Sequence, residues 1–168
     1  AICIEGPKWC GKTWSSSKYA KTITYMDDDN NIGVAQMDPK AIFSKDYEKR
    51  PQLIDEWNLV PAIWDAVRRE CDKTTEKGNF ILTGSTTLSI KEKQKKIKHS
   101  GIGRIAHINM YTMSLYESKD SKGEASISSM LDGSQESMKT KEVSLEEIAK
   151  LIIRGGWPEN LQVSTNQI

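Results

Sequence analysis

The sequence has few cysteines and lacks the cysteine patterns of disulfide-rich and zinc-binding proteins. Among its 168 residues are three cysteines, Cys3, Cys10 and Cys71, and none belongs to a CxxC pair. An odd count without such a pair argues against a disulfide framework and against a local zinc motif. The two histidines, His99 and His107, have no second ligand at a metal-binding spacing, so neither is predicted to be a ligand. This cysteine usage favours a reducing cytoplasm.

The sequence also lacks long apolar runs and an excess of charge. No apolar run approaches the roughly 18 residues of a membrane-spanning helix, and no segment has the pattern of a signal peptide. The formal net charge is +1, from 24 basic and 23 acidic side chains. We therefore expect no membrane partner, and bulk charge does not indicate nucleic acid. The run KEKQKKIKH, residues 91–99, contains no aromatic residue, which favours a solvated charged loop over a nucleic-acid site.

Short apolar stretches alternate with segments of helical periodicity. The predicted strands are AICIE (1–5), ITYMDDD (23–29), PQLIDE (51–56), GNFILTGS (78–85) and RIAHINMYTM (104–113). The predicted helices are GKTWSSSKYAKT (11–22), DPKAIFSK (38–45), LVPAIWDAVRRECDKT (59–74) and VSLEEIAKLIIR (143–154). This alternation indicates an α/β fold, a parallel sheet flanked by helices. Ser144 and Glu147 form a capping-box pattern at the start of the last helix, and Gly155 and Gly156 end it.

Composition predicts three regions. The core is predicted over residues 1–118, and we expect its amino-terminal part to be truncated because the chain starts without Met inside a predicted strand. Residues 119–142 are rich in Ser, Gly, Lys and Glu without periodicity, which predicts a variable linker or insertion. Residues 143–168 are predicted to hold a helix and the start of a carboxyl-terminal region.

The segment GPKWCGKT directly follows the first predicted strand and matches the phosphate-binding motif G-x-x-x-x-G-K-[ST] in full. Its glycines allow a tight loop whose N–H groups converge on phosphate oxygens, next to the positive end of the following helix. Lys12 is expected to contact the β and γ phosphates, and the Thr13 hydroxyl to ligate magnesium. The predicted ATP-binding residues are Gly6, Pro7, Lys8, Trp9, Cys10, Gly11, Lys12 and Thr13.

A second acidic segment, QLIDEW, has the pattern of a Walker B strand. Asp55 is predicted to hold magnesium through water, so that Thr13 and Asp55 form the metal site. Glu56 is predicted to orient or deprotonate the attacking water. Because successive residues of a strand point in opposite directions, the two acids can serve different partners. The alternative interpretation is that these acids only keep a strand end soluble.

Further catalytic candidates lie after two later strands. Thr83 and Ser85 end a predicted strand, and ligands bind at the carboxyl ends of parallel strands. Either residue is placed to contact the γ-phosphate or the attacking water, with a helix cap or turn as an equal alternative. Arg104 follows a loop with Gly101 and Gly103 and is a candidate for stabilising charge on the phosphoryl group, in cis or, after self-association, in trans. Its alternative is a surface salt bridge.

Three tryptophans, Trp9, Trp57 and Trp64, are interpreted as packing residues rather than as an adenine-binding box. Trp9 lies inside the phosphate-binding segment and is therefore also a candidate to flank the nucleotide.

Five segments together resemble a family of prokaryotic AAA-type P-loop ATPases. They are IEGPKWCGKT, RPQLIDEWNLVPAIWDAVRRE, FILTGST, HSGIGRIAHINMYTMSLYES and LIIRGGWPENL, in family order from Ile4 to Leu161. In that family the ATPase core precedes a second domain of restriction-endonuclease-like fold and unknown function. The resemblance implies an AAA-like core that binds ATP and Mg²⁺, with the Walker A residues Gly6, Gly11, Lys12 and Thr13 and the Walker B acids Asp55 and Glu56. Tyr111 and Thr112 stand where members commonly have Arg-Pro, so no role is carried over to them.

Two classes of function fit these residues. The first is an ATP-hydrolysing enzyme of AAA type with an unknown downstream target. The second is a nucleotide-dependent binding or regulatory module that acts on DNA or a partner protein with little hydrolysis. Glu56 favours the first class, because a protein that only binds nucleotide does not need it.

Overall fold

The computed structural model describes residues 1–85, 100–134 and 142–162 of the chain. The chain forms two compact units, Ala1–Tyr111 and Thr112–Ile168. Every candidate site residue belongs to the first unit, so the fold of that unit decides their placement. The basic run at 91–99 lies outside the described residues. The composition boundaries at 118 and 142 stay predictions.

A parallel sheet forms the centre of the first unit. Its strands are β1 (Ile2–Gly6), β2 (Thr22–Tyr25), β3 (Gln52–Asp55), β4 (Phe80–Ser85) and β5 (Ala106–Asn109). They lie in the order β2-β3-β4-β1-β5, and each neighbouring pair is parallel. The predicted α/β class and parallel sheet are confirmed. The first strand in sequence lies between the last two, so its carboxyl end adjoins the carboxyl end of β4.

The helices follow the strands as the alternation predicts. They are α1 (Lys12–Ser17), α2 (Asp29–Met37), α3 (Ala62–Cys71), α4 (Ile127–Leu131) and α5 (Leu145–Arg154). Short 3-10 helices cover Tyr47–Lys49, Trp57–Leu59 and Pro158–Gln162. Among the described residues, each helix is too short or too polar to cross a bilayer.

The helix predicted at residues 38–45 is wrong, because the chain forms α2 before that segment. Asp28 caps α2 by accepting a hydrogen bond from the Asn30 N–H at 2.8 Å. Asp38 ends the helix in an extended conformation, with φ −146° and ψ 105°. It precedes Pro39, and a residue before proline is pushed out of the helical region. Capping at one end and proline at the other therefore set the bounds of α2.

Helix α3 covers the sheet with the apolar face that its spacing predicts. Val60, Ile63, Trp64 and Val67 are all buried, and they join one hydrophobic cluster with side chains of β1, β3 and β4. Each fully buried aliphatic side chain of this kind contributes about 1.5–3 kcal/mol. The apolar face of α3 therefore packs on the sheet that carries the candidate residues.

A buried ion pair fixes the entry to β3. The Arg50 guanidinium lies 3.4 Å from the Glu70 carboxylate on α3. The same carboxylate accepts hydrogen bonds from Lys73 at 2.8 Å and from the Tyr47 hydroxyl at 3.2 Å. The Lys73 hydrogen bond, reinforced by Arg50 and Tyr47, lowers the pKa of Glu70 although partial burial opposes the shift. The cluster therefore ties the segment before β3 to α3.

In the second unit, the predicted capping box at the start of α5 is confirmed. The Ser144 hydroxyl accepts a hydrogen bond from the Glu147 N–H at 3.1 Å, and the Glu147 carboxylate accepts one from the Ser144 N–H at 2.8 Å. Gly155 follows the helix with φ 64°, a conformation that favours glycine. Arg154 at the end of α5 pairs with Asp120.

Candidate functional site

The ends of three parallel strands bring the candidate residues together. Gly6 at the end of β1 aligns with Ser85 of β4, and Asp55 at the end of β3 aligns with Thr83 of β4. The loop after β1, the acidic turn after β3 and the polar end of β4 therefore share one edge of the sheet. This is the edge where ligands bind in open α/β sheets.

The loop after β1 has two positions where only glycine fits well. A Cβ atom on Gly6 would lie 2.1 Å from the Met110 carbonyl oxygen, so the close approach of these segments requires glycine. Gly11 has φ 102°, in the left-handed region, and directly precedes α1. Trp9 also has a positive φ of 65°. A tight loop of this kind turns its backbone toward the space in front of the strand end.

Lys12 folds back over its own loop. Its Nζ donates hydrogen bonds to the Pro7 carbonyl at 2.7 Å and to the Gly6 carbonyl at 3.1 Å. The residue is 6% exposed. A buried ammonium group requires such partners, because burial without them is costly. The loop thus holds a positive charge at its centre.

The carboxylate of Asp55 joins the loop to two strands. Its Oδ1 accepts a hydrogen bond from the Thr13 hydroxyl at 2.8 Å. The same oxygen accepts one from the Thr83 hydroxyl. Thr83 is fully buried and Asp55 is 8% exposed. One hydroxyl and one carboxylate are thus held together at the mouth of the loop, and oxygen donors of this type suit Mg²⁺.

Glu56 adopts a conformation that the strand pattern did not predict. The predicted strand includes Glu56, whereas β3 ends at Asp55 and Glu56 has φ 53° and ψ 42°, the left-handed conformation, before the 3-10 helix Trp57–Leu59. Its direction is therefore set by a turn and not by strand alternation. The Ser85 hydroxyl donates to Glu56 Oε1 at 3.0 Å, and the Ser85 N–H donates to Oε2 at 3.4 Å. A non-glycine residue in this region is strained by about 1–3 kcal/mol, and such strain is common at functional sites.

Arg104 lies near the amino-terminal ends of the strands, whereas the phosphate-binding loop follows the carboxyl end of β1. Arg104 precedes β5, whose first residue Ala106 aligns with Ile2 at the start of β1. The four steps along β1 from Ile2 to Gly6 then separate the two ends by about 13 Å, at about 3.3 Å per residue. The structure does not bring Arg104 together with the other candidate residues of this chain.

The Arg104 side chain forms the surface salt bridge that was its alternative interpretation. Its Nε donates to Asp72 Oδ1 at 2.7 Å, and this hydrogen bond lowers the pKa of Asp72. The preceding loop is bent as expected, with Gly101 at φ 69° and Gly103 at φ 78°. A role of Arg104 in a neighbouring subunit stays a prediction.

The tryptophans divide into two groups. Trp57 and Trp64 are each 2% exposed and stack with ring centroids 5.0 Å apart, so their interpretation as packing residues is confirmed. Trp9 is 71% exposed, so its interpretation as a packing residue is wrong. The Lys8 ammonium lies 5.2 Å from the centroid of its ring. Trp9 therefore offers an accessible aromatic face beside the loop.

Gly84 lies between the candidate residues Thr83 and Ser85 and packs against Asn58, and no sequence motif indicates either Gly84 or Asn58. A Cβ on Gly84 would lie 2.8 Å from Asn58 Oδ1 and 3.2 Å from Trp57 Nε1. Gly84 thus lets the turn after β3 pack directly against β4, between Thr83 and Ser85. A glycine inside a strand often marks such a close approach, and this was the available signal.

Two comparisons with known proteins give one match. Residues 1–119 match a family model described as an AAA domain, and this range includes every candidate site residue. No curated protein matches the chain significantly.

Proposed function

The chain belongs to the AAA domain family, and from this premise we propose that it is a Mg²⁺-dependent ATPase. The main observation in support of this proposal is that Lys12, Thr13 and Asp55 lie together at the carboxyl ends of the strands. Lys12 places a positive charge within the loop, and Thr13 and Asp55 meet through a 2.8 Å hydrogen bond. A cation and paired oxygen donors are the groups that hold a nucleotide phosphate and its metal ion.

The residues fit ATP and magnesium by their chemistry. The loop at residues 6–13 would hold the phosphates, with backbone N–H groups and with Lys12 exchanging its carbonyl partners for phosphate oxygens. Thr13 and Asp55 would hold Mg²⁺, which prefers oxygen ligands and retains several waters. When bound, Mg²⁺ neutralises charge on the transferring phosphoryl group. Thr83 would keep the Asp55 carboxylate in place.

Glu56 has a carboxylate that ATP hydrolysis would need and that nucleotide binding alone would not. We infer that its carboxylate orients the attacking water and accepts a proton from it. Ser85 positions that carboxylate through the hydrogen bonds at 3.0 and 3.4 Å. In this account Ser85 acts through Glu56 and does not contact the reacting atoms itself.

A nucleotide-dependent binding module is the second candidate function. It is favoured by the exposed aromatic rings near the loop, Trp9 at 71% and Trp14 at 69% exposure, which offer contact area for a partner protein or DNA. In that case hydrolysis would be slow and the nucleotide would control binding. The resemblance of the sequence to prokaryotic ATPases further implies a restriction-endonuclease-like second domain, with an unknown target. From the cysteine usage we also propose a cytoplasmic location.

The exchange Glu56→Gln separates the two candidates. We expect the variant to keep its affinity for ATP and Mg²⁺ and to release phosphate at least about 100-fold more slowly, since general base catalysis contributes about 10²–10⁴-fold. Phosphate release and calorimetric binding would be measured on the same preparations. The matched control is Glu48→Gln, an exposed carboxylate away from the site. Negligible phosphate release by the wild type, with ATP bound, would support the binding module.

A further inference from the structure

A cysteine, a glutamate and a histidine meet on β1 and β5. The ligand atoms of Cys3, Glu5 and His107 all lie within 4.8 Å of one another. We propose that this set, the β1–β5 cluster, binds a transition-metal ion of the zinc class. The proposal is independent of the nucleotide site, because none of the three residues has a role in it.

The sheet register creates the cluster. Cys3 and Glu5 are two residues apart on β1, so they lie on the same face of the sheet. His107 of β5 is the direct partner of Cys3 in the parallel pair. Local spacing in the sequence gives His107 no second ligand. The fold supplies two potential ligands from β1, which is far from His107 in sequence and adjacent to β5 in the sheet.

The donor types select the metal class. A thiolate, an imidazole nitrogen and a carboxylate oxygen are the ligands of zinc, whereas magnesium and calcium take oxygen ligands. Usual zinc–ligand bond lengths place tetrahedral ligand atoms roughly 3.4–3.6 Å apart. Separations within 4.8 Å can therefore contract around one ion by small side-chain rotations. Three protein ligands leave a fourth position for water.

The surroundings give the cluster both support and access. Cys3 is fully buried, Glu5 is half-buried and His107 is exposed, so an ion enters from the His107 side and meets the thiol at the bottom. The Trp64 ring packs on the His107 imidazole with centroids 5.3 Å apart, which limits its rotation. Asn109 is the direct partner of Glu5 in the register of β1 with β5. Outer residues orient the ligands of a metal site, and the Trp64 ring takes this position beside His107.

A bound ion would join β5 to β1. The β5 side chains, from Ala106 to Asn109, are all exposed, and among the described strands β5 pairs only with β1. A ligand that binds the folded state alone stabilises that state. Zinc is therefore expected to raise the thermal unfolding midpoint of the protein.

Cobalt(II) titration tests the site directly, since cobalt replaces zinc in such sites and reports its ligands by absorption. The metal-free protein is expected to bind one cobalt ion with a thiolate-to-cobalt charge-transfer band, and zinc is expected to displace it. Outer partners alone are worth about 10–100-fold in metal affinity, so loss of a ligand in Glu5→Gln or His107→Gln should weaken binding at least about tenfold. Cys3→Ser should abolish the charge-transfer band. Cys10→Ser and Cys71→Ser are matched controls and should retain it.

His107→Gln is the deciding variant, because its side chain is exposed and its folding can be checked by circular dichroism. A Cys3→Ser chain that does not fold leaves this comparison intact. In the same series, zinc should raise the unfolding midpoint of the wild type and not that of His107→Gln. No charge-transfer band in the wild type would overturn the proposal. So would a band that His107→Gln leaves unchanged, or one that is lost with Cys10→Ser or Cys71→Ser.

Discussion

The Thr13 hydroxyl donates a 2.8 Å hydrogen bond to the Asp55 carboxylate, and this contact joins the loop after β1 to the end of β3. The two residues are distant in sequence and meet because β1 and β3 both border β4 in a parallel sheet. The contact places a hydroxyl and a carboxylate at the point where the proposed metal ion would be held.

Asp55→Asn is expected to remove the effect of magnesium on ATP affinity. The amide keeps the size of the side chain and loses the charge that attracts the ion. The measurement is calorimetric titration of ATP with and without Mg²⁺. Asp27→Asn, an exposed carboxylate just after β2, is the matched control and should leave the effect unchanged. If magnesium strengthens ATP binding equally in the wild type and in Asp55→Asn, Asp55 has no part in the metal site.

Gly84→Ala is expected to destabilise the fold by about 1–3 kcal/mol, as overpacking typically does. The new methyl group would lie 2.8 Å from Asn58 Oδ1. Adding Asn58→Ala should recover part of the loss, because it removes the atom that clashes. Gly33→Ala in α2 meets nothing within 4 Å and should stabilise by up to about 1 kcal/mol. Urea unfolding measures all of them, and equal stability of the two single variants would contradict the close packing at Gly84.

Glu70 should make the protein less stable in acid. Its pKa is lowered from 4.5 in the folded state, chiefly by the Lys73 hydrogen bond. Between the two pKa values the unfolded chain therefore binds more protons than the folded chain, so stability rises with pH there. The contribution is fully present above pH 4.5 and is lost as the pH falls through the lowered folded pKa.

Urea unfolding between pH 7 and pH 3 is the check on Glu70. Glu70→Gln should have a lower free energy of unfolding than the wild type at neutral pH. This difference should narrow as the pH falls below the pKa of Glu70 in the unfolded chain. Glu76→Gln removes an exposed carboxylate, so its free energy of unfolding should change with pH in the same way as that of the wild type. A gap of constant size across this range would mean that the Glu70 charge does not contribute.

Arg104 is predicted to act in trans, because the length of β1, about 13 Å at about 3.3 Å per residue, separates it from the phosphate-binding loop of the same chain. Mixing Arg104→Ala with Glu56→Gln should restore part of the phosphate release that each variant lacks. In a mixed oligomer, the Arg104→Ala subunit supplies an intact Glu56 and the neighbouring Glu56→Gln subunit supplies an intact Arg104 to the same site. The rate per chain should also rise with protein concentration. A concentration-independent rate without rescue would leave Arg104 as the partner of Asp72 alone.

Much of the fold and of the site could be predicted because the chemistry follows the strands in sequence. The loop at residues 6–13 and the acids at 55 and 56 each stand directly after a strand, and parallel strands bring such ends to one edge. The placement of Lys12, Thr13 and Asp55 needed no further information. The start of α5 was equally local, because Ser144 and Glu147 form its capping box within four residues.

What the sequence did not predict depends on nonlocal geometry. The position of Arg104 follows from the register of β5 relative to β1, and the sequence of neither strand predicts this register. The Cys3–His107 pairing depends on the same register. Strand periodicity continues through Glu56 and predicts a strand there, whereas in the structure Glu56 adopts the left-handed conformation and its carboxylate accepts a hydrogen bond from Ser85. Tertiary packing overrides local preference at such positions.

Calorimetric titration of Lys12→Ala with ATP and Mg²⁺ tests the central claim most directly. Hydrogen bonds to charged groups are worth about 1.5–3 kcal/mol each, so removing the Lys12 ammonium should weaken ATP binding at least about tenfold. Lys18→Ala, an exposed lysine just after α1, should bind ATP like the wild type. Unchanged ATP affinity in a folded Lys12→Ala protein would contradict the assignment of this loop as the phosphate site.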